Sequence, residues 1–131
     1  MDDAAVARWL TDYVAAWKSY DAEAIGRLFS DDATYRGYPW DESDTIAHGR
    51  EAIVASWIAD QDAPDSWSAE YDPWLVHGAR AVATGVSRYF GADGAVERVY
   101  HNVFLLVFDD EGRCSEFSEL YMLEPELPTT A

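Results

Sequence analysis

Apolar residues recur at helical spacing in the first half of the chain and alternate at strand spacing toward its end. Val6, Leu10, Tyr13, Val14 and Trp17 fall on one stripe behind a capping Asp2 or Asp3, which predicts a first helix. Asp21 caps a short second helix with Ile25, Leu28 and Phe29 as its apolar face, and Ser30-Asp31-Asp32 is expected to break it. Ala33 to Tyr38 reads as a short strand, and Pro39 to Ala47 as a polar loop carrying Trp40 and Asp41. Gly49-Arg50-Glu51-Ala52-Ile53 opens a third helix, packed through Ile53, Val54, Trp57 and Ile58 and ended by Asp62-Ala63-Pro64-Asp65.

Beyond Asp65 the pattern is β. Ser66 to Val76 reads as a strand whose ladder Pro73 interrupts, which points to an edge or a bulge. Ala79 to Phe90 follows, with Val82, Thr84, Val86 and Arg88 on one face. Val96 to Met122 then forms a long hairpin about Asp109-Asp110-Glu111-Gly112. Side chains alternate along a strand, so Tyr100, Asn102, Phe104, Leu106 and Phe108 share one face and Val99, His101, Val103, Leu105 and Val107 the other. In the return strand Phe117, Glu119 and Tyr121 oppose Glu116, Ser118, Leu120 and Met122. A single-residue bulge would reverse this, turning Glu119 outward and His101 inward.

The element order is α-α-β-α-β-β-β-β, an α+β fold: a curved antiparallel sheet wrapped as a cone around three N-terminal helices. Residues 1–124 form one domain and 125–131, with Pro125 and Pro128, a frayed tail. Helices cover only one face of such a sheet. The apolar positions on the other face need a second surface, so a homodimer through the outer face is expected.

Composition narrows the functional classes. Six Trp and eight Tyr exceed what a small core needs, and they suit either a Trp-rich core or an aromatic-lined cavity. The net charge of −16, with Lys18 the only Lys, opposes binding to nucleic acid or to an anionic membrane surface. No apolar run reaches the length of a membrane span, and Met1-Asp2-Asp3 does not open a signal peptide. A lone Cys114 fits a reducing cytoplasm. The three His residues are scattered, so no metal is expected, and no glycine-rich phosphate loop or serine nucleophile elbow is present.

Leu28-Phe29-Ser30-Asp31-Asp32-Ala33-Thr34, Gly49-Arg50-Glu51-Ala52-Ile53 and Phe108-Asp109-Asp110-Glu111-Gly112-Arg113, set behind two helices, resemble the nuclear transport factor 2-like superfamily. Within it the chain is most similar to the SnoaL-like branch, which includes polyketide cyclases. The resemblance implies the cone fold. It leaves the reaction open, because this fold hosts isomerases, hydrolases, dehydratases, cyclases and binding modules. Tyr13-Val14-Ala15-Ala16 also resembles the segment of ketosteroid isomerase whose Tyr donates to an oxyanion. By the same register that enzyme's two Asp positions fall on Gly37 and Phe104, and the Tyr supporting its donor falls on Trp57. Both carboxyls are absent, so steroid isomerisation by that mechanism is not expected.

This register sets Glu119, Asn102, Arg88, Tyr35 and Trp57 on the concave face with Tyr13. Glu119 is the expected base or acid, Tyr13 and Asn102 the donors to a carbonyl oxygen, and Arg88 the orienter of Glu119. The alternative for the last pair is an ion pair that merely closes the cavity floor. Trp17, Tyr35, Trp40, Trp57, Phe104, Phe117 and Tyr121 are the expected walls. The expected function is proton transfer, without cofactor, on a small apolar carbonyl compound, by an isomerase, cyclase or dehydratase. The rival is a non-catalytic binding protein for a hydrophobic small molecule.

Overall fold

The computed structural model describes residues 1–37 and 47–125. The first helix, α1, spans Asp3–Ser19, and Asp2 caps it by accepting the Ala5 N–H at 2.8 Å. α2 spans Ala22–Arg27 behind the Asp21 cap. The strand β1, Phe29–Arg36, follows after one residue. A two-residue strand, β2 (Ala47–His48), precedes α3 (Arg50–Ala59). The remaining strands are β3 (Trp67–His77), β4 (Arg80–Phe90), β5 (Val96–Phe108) and β6 (Cys114–Leu123).

The six strands among the described residues form one sheet in the order β2-β1-β6-β5-β4-β3. The expected antiparallel arrangement holds for four of the five pairings; β1 runs parallel to β6. A parallel neighbour requires a long crossover, and here all of the chain from β2 to β5 supplies it. Ser30-Asp31-Asp32 does not break the chain as expected but lies inside β1. The register shifts between Phe29 and Thr34, so the acidic residues bulge outward and pairing resumes at Thr34. Arg50 anchors the bulge: one nitrogen lies 2.7 Å from Asp31 and another donates to the Phe29 carbonyl at 3.0 Å.

The core lies between the concave face and the helices. Val6, Leu10 and Ile25 meet Phe29, Leu106 and Phe108 there. Trp9, which falls outside the stripe read from the sequence, is also buried, and its indole N–H donates to the Leu28 carbonyl at 2.9 Å. Pro73 sits where β3 slips register, on the edge strand, as its missing donor requires. The other face of the sheet carries Leu75, Leu105, Leu120 and Met122 to the surface. His101 is also exposed there, with Nε2 3.0 Å from Glu124. Trp40 and Asp41, like the tail beyond Pro125, lie outside the described residues. Among the described residues no helix is long and apolar enough to cross a membrane.

Candidate functional site

The inner face of β3 to β6 and the C-terminal ends of α1 and α3 enclose a cavity of about 430 Å³. Its chemical centre is a hydrogen-bonded row across three strands. Ser87 on β4 donates from Oγ to Asn102 Oδ1 at 2.9 Å, and Asn102 Nδ2 donates to Glu119 Oε1 at 2.9 Å. The serine hydroxyl and the carboxylate between them determine which end of the amide faces which neighbour. Antiparallel pairing places them: Asn102 lies opposite Gly85 on one side and Tyr121 on the other, two residue pairs from Glu119 and on the same face. Burial pushes the Glu119 carboxyl up to about 7; the hydrogen bond from Asn102 opposes that rise without cancelling it.

Tyrosine hydroxyls surround this carboxylate. All seven tyrosines among the described residues line the cavity. Tyr13 from α1 and Tyr35 from β1 bring their hydroxyl oxygens to 3.4 Å. Burial raises both phenol pKa values, helped by the charge of Glu119, so both remain protonated and able to donate. Their positions are set from beneath by Phe117, which stacks on Tyr35 at 4.4 Å and on Tyr13 at 5.5 Å. Trp57 meets the Tyr13 ring edge-on at 5.2 Å. Tyr71 on β3 reaches the centre because its partner in the ladder is Gly85. A Cβ at residue 85 would collide with the Tyr71 ring and the Glu70 carbonyl.

The mouth is more polar. Trp17 donates its indole N–H to Asp62 Oδ2 at 3.0 Å, and the Asp62 backbone N–H donates to the Tyr20 hydroxyl at 2.8 Å. Tyr20 closes α1 in the left-handed region, at φ 50°, which is uncommon for a bulky residue. On the opposite wall Arg98 lies over the Tyr89 ring at 4.8 Å and donates to the Tyr100 hydroxyl at 3.1 Å.

Of the residues expected here, Tyr13, Glu119, Asn102, Trp17, Tyr35, Trp57 and Tyr121 do line the cavity. Three others do not. Arg88 sits on the outer face and pairs with Glu70 at 3.3 Å, away from Glu119. The alternation along β4 is as expected, but the small residues Ala81, Ala83 and Ser87 face inward, where aromatic rings leave no room for longer side chains. Phe104 and Phe117 are 1% and 0% exposed. They are the packed floor under the tyrosines, not a wall that a ligand touches. The expected wall residue Trp40 lies outside the described residues. Ser87, Tyr71, Tyr89 and Arg98 were missed. Arg98 was legible, since it shares strand parity with Tyr100 and Asn102; the β4 face was not.

A curved, unclosed six-stranded sheet around N-terminal helices, with an aromatic cavity at its open end, is the nuclear transport factor 2-like cone. The solved structures it resembles agree. An NTF2-like protein of unknown function from Burkholderia xenovorans superposes with a TM-score of 0.68 at 18% identity, covering 96% of this chain and 89% of that one. A ketosteroid isomerase-like protein from Erwinia carotovora gives 0.65 at 16%, covering 94% and 97%. An NTF2-like protein of unknown function from Mesorhizobium loti gives 0.60 at 22%, covering 92% and 93%. Residues 10–117 match the SnoaL-like domain model, and the chain belongs to that family. No curated protein matches it.

Proposed function

We propose that the chain catalyses proton transfer next to a carbonyl group in a small, ring-containing compound, without a cofactor. The observation that carries this reading is Glu119, a carboxyl held by Asn102 in a desolvated cavity, with its pKa near 7 and protonated tyrosines around it. A base is most useful when its pKa lies near the working pH. Glu119 takes the proton from the carbon beside the carbonyl. The C–H pair becomes the new C–C π bond, and the carbonyl π pair moves to oxygen. Tyr13, or Tyr35 beside it, donates a hydrogen bond to that developing charge. In a substrate with a β,γ double bond the anion is a dienolate. The oxygen pair re-forms the carbonyl, the new π pair shifts to the α,β bond, and the old β,γ pair takes the proton back from Glu119 at the γ-carbon. The net change is an isomerisation. Asn102 acts as a positioning residue, because its Nδ2 is committed to Glu119. Trp17 and Trp57 supply apolar wall, while the tyrosine hydroxyls favour a ligand bearing oxygen.

Exchange of α-protons for deuterium in a panel of cyclic ketones and lactones, followed by NMR, tests this. Glu119→Gln is expected to slow exchange by about a hundredfold or more while binding persists. Unchanged exchange sinks the reading. The second reading is a binding protein without turnover. It is favoured by the side chains at the two isomerase carboxyl positions: Gly37 has none, and Phe104 is sealed in the core.

A further inference from the structure

We infer that the ligand of this cavity carries a positive charge, as a protonated amine or a quaternary ammonium group seated at the mouth. The inference rests on reading the cavity as a ligand site, and it adds a charge that neither the fold nor the proposed chemistry requires.

Three features of the mouth converge. The first is fixed charge. Among the described residues Asp60 and Asp62 line the cavity against the guanidinium of Arg98, and Glu119 deeper in adds its charge only when ionised. The chain as a whole carries −16, so the potential at the opening draws cations in and repels anions.

The second is the backbone. α1 and α3 both point their C-terminal ends at the opening, through Tyr20 and Asp60, which line it. The unpaired carbonyls of a helix end carry partial negative charge that favours a cation. The last turn of α3 holds no basic residue to neutralise it. In α1 the corresponding charge is Lys18, which does not line the cavity and donates from Nζ to the Trp67 carbonyl at 2.8 Å.

The third is the behaviour of the aromatic wall toward cations the chain already has. Arg98 lies over Tyr89 at 4.8 Å and near Tyr100 at 5.8 Å. Behind the wall Lys18 lies over the buried Trp67 ring at 4.2 Å, and Trp67 stacks on the lining residue Trp17 at 3.5 Å. Both bind through the negative faces of the rings. Trp17 and Trp57 on the helix side offer the same kind of surface to a ligand, next to Asp60 and Asp62. A neutral ligand would use the rings only as apolar wall, and an anionic one would face repulsion from Asp60 and Asp62.

The test compares three probes of one shape: benzyltrimethylammonium, its neutral carbon isostere 2,2-dimethylpropylbenzene, and phenylmethanesulfonate. Binding to the full chain is read by tryptophan fluorescence at low ionic strength. The ammonium is expected to bind about tenfold more tightly than either of the others. That advantage is expected to shrink in Asp60→Asn, with affinity for the neutral isostere unchanged. It is expected to grow in Arg98→Met, where a competing cation is removed. Equal binding of ammonium and isostere, or tightest binding of the sulfonate, overturns the charge assignment. If the isostere binds as well as the ammonium while Glu119-dependent exchange persists, the assignment falls alone and the proton-transfer reading stands. If no probe binds, the assignment falls together with the view of the cavity as a ligand site.

Discussion

At the scale of single residues, Glu119 couples chemistry to stability with opposite signs. Its carboxyl titrates near 7 in the fold because burial disfavours the charge, against an ordinary value of 4.5. A group raised in this way contributes its full stability below the ordinary value. That contribution is lost as pH climbs toward the folded value, and it stays lost above it. The basic form needed for proton abstraction accumulates over the same interval. Turnover is therefore expected to rise with pH and level off above an inflection near 7. Stability is expected to fall between about pH 4.5 and 7, by at most roughly 3 kcal/mol. Glu119→Gln has no such titration. Urea denaturation should find the variant gaining on the natural chain between pH 5 and pH 8; parallel profiles would show that residue 119 is not desolvated. The parity that turned Glu119 inward was legible, because the register shift between the hairpin strands lies at Val107/Phe108, on the turn side of Glu119, and pairing is continuous from there outward. Its pKa was not, because desolvation comes from rings contributed by α1, β1 and β3.

Among the elements, β4 decides the shape of the cavity. Its inward positions are Ala81, Ala83, Gly85, Ser87 and Tyr89, and the small side chains before Tyr89 leave space for Tyr71 to cross from β3. Glycine inside a strand weakens it and commonly marks such a close approach. Gly85→Ala places a methyl group against the Glu70 carbonyl and the Tyr71 backbone, neither of which is a flexible side-chain end. A loss of about 2–3 kcal/mol is expected, with a smaller cavity, as measured by urea denaturation. An unchanged midpoint would mean that β3 shifts freely. The sequence shows β4 as a strand of small residues with Arg88 among the larger ones, and nothing local says which set faces the helices. The larger set reads more naturally as the core side. The structure reverses this because the aromatic rings arrive from the other elements and fill the concave side first.

For the whole molecule, the outer face of the sheet raises the question of a partner. Leu75, Val82 and Leu105 lie in one row across β3, β4 and β5, with Val103 and Leu120 beside them. Met122 is 74% exposed and Leu105 41%. Contiguous apolar surface of this kind marks a protein contact more often than bare solvent. We propose that a second copy of the chain covers it. Sedimentation at micromolar concentration is expected to give a dimer, and Leu105→Glu combined with Leu120→Glu a monomer. A monomeric natural chain would refute the proposal.

By itself the sequence determined the helices, the long hairpin, the order of elements apart from the two-residue β2, and the inward set on β5 and β6. Each of these rests on a local rule, either the period of apolar residues or the chemistry of a turn. Tertiary structure decided which face of β4 looks inward, and with it that Arg88 stands outside the cavity, and that β1 joins β6 in parallel. It also drew the line between floor and wall, burying Phe104 and Phe117 while leaving Tyr71 and Tyr89 at the surface of the cavity. These outcomes depend on which side chains from distant segments reach the same volume, and a pattern of neighbours along the chain does not contain that competition.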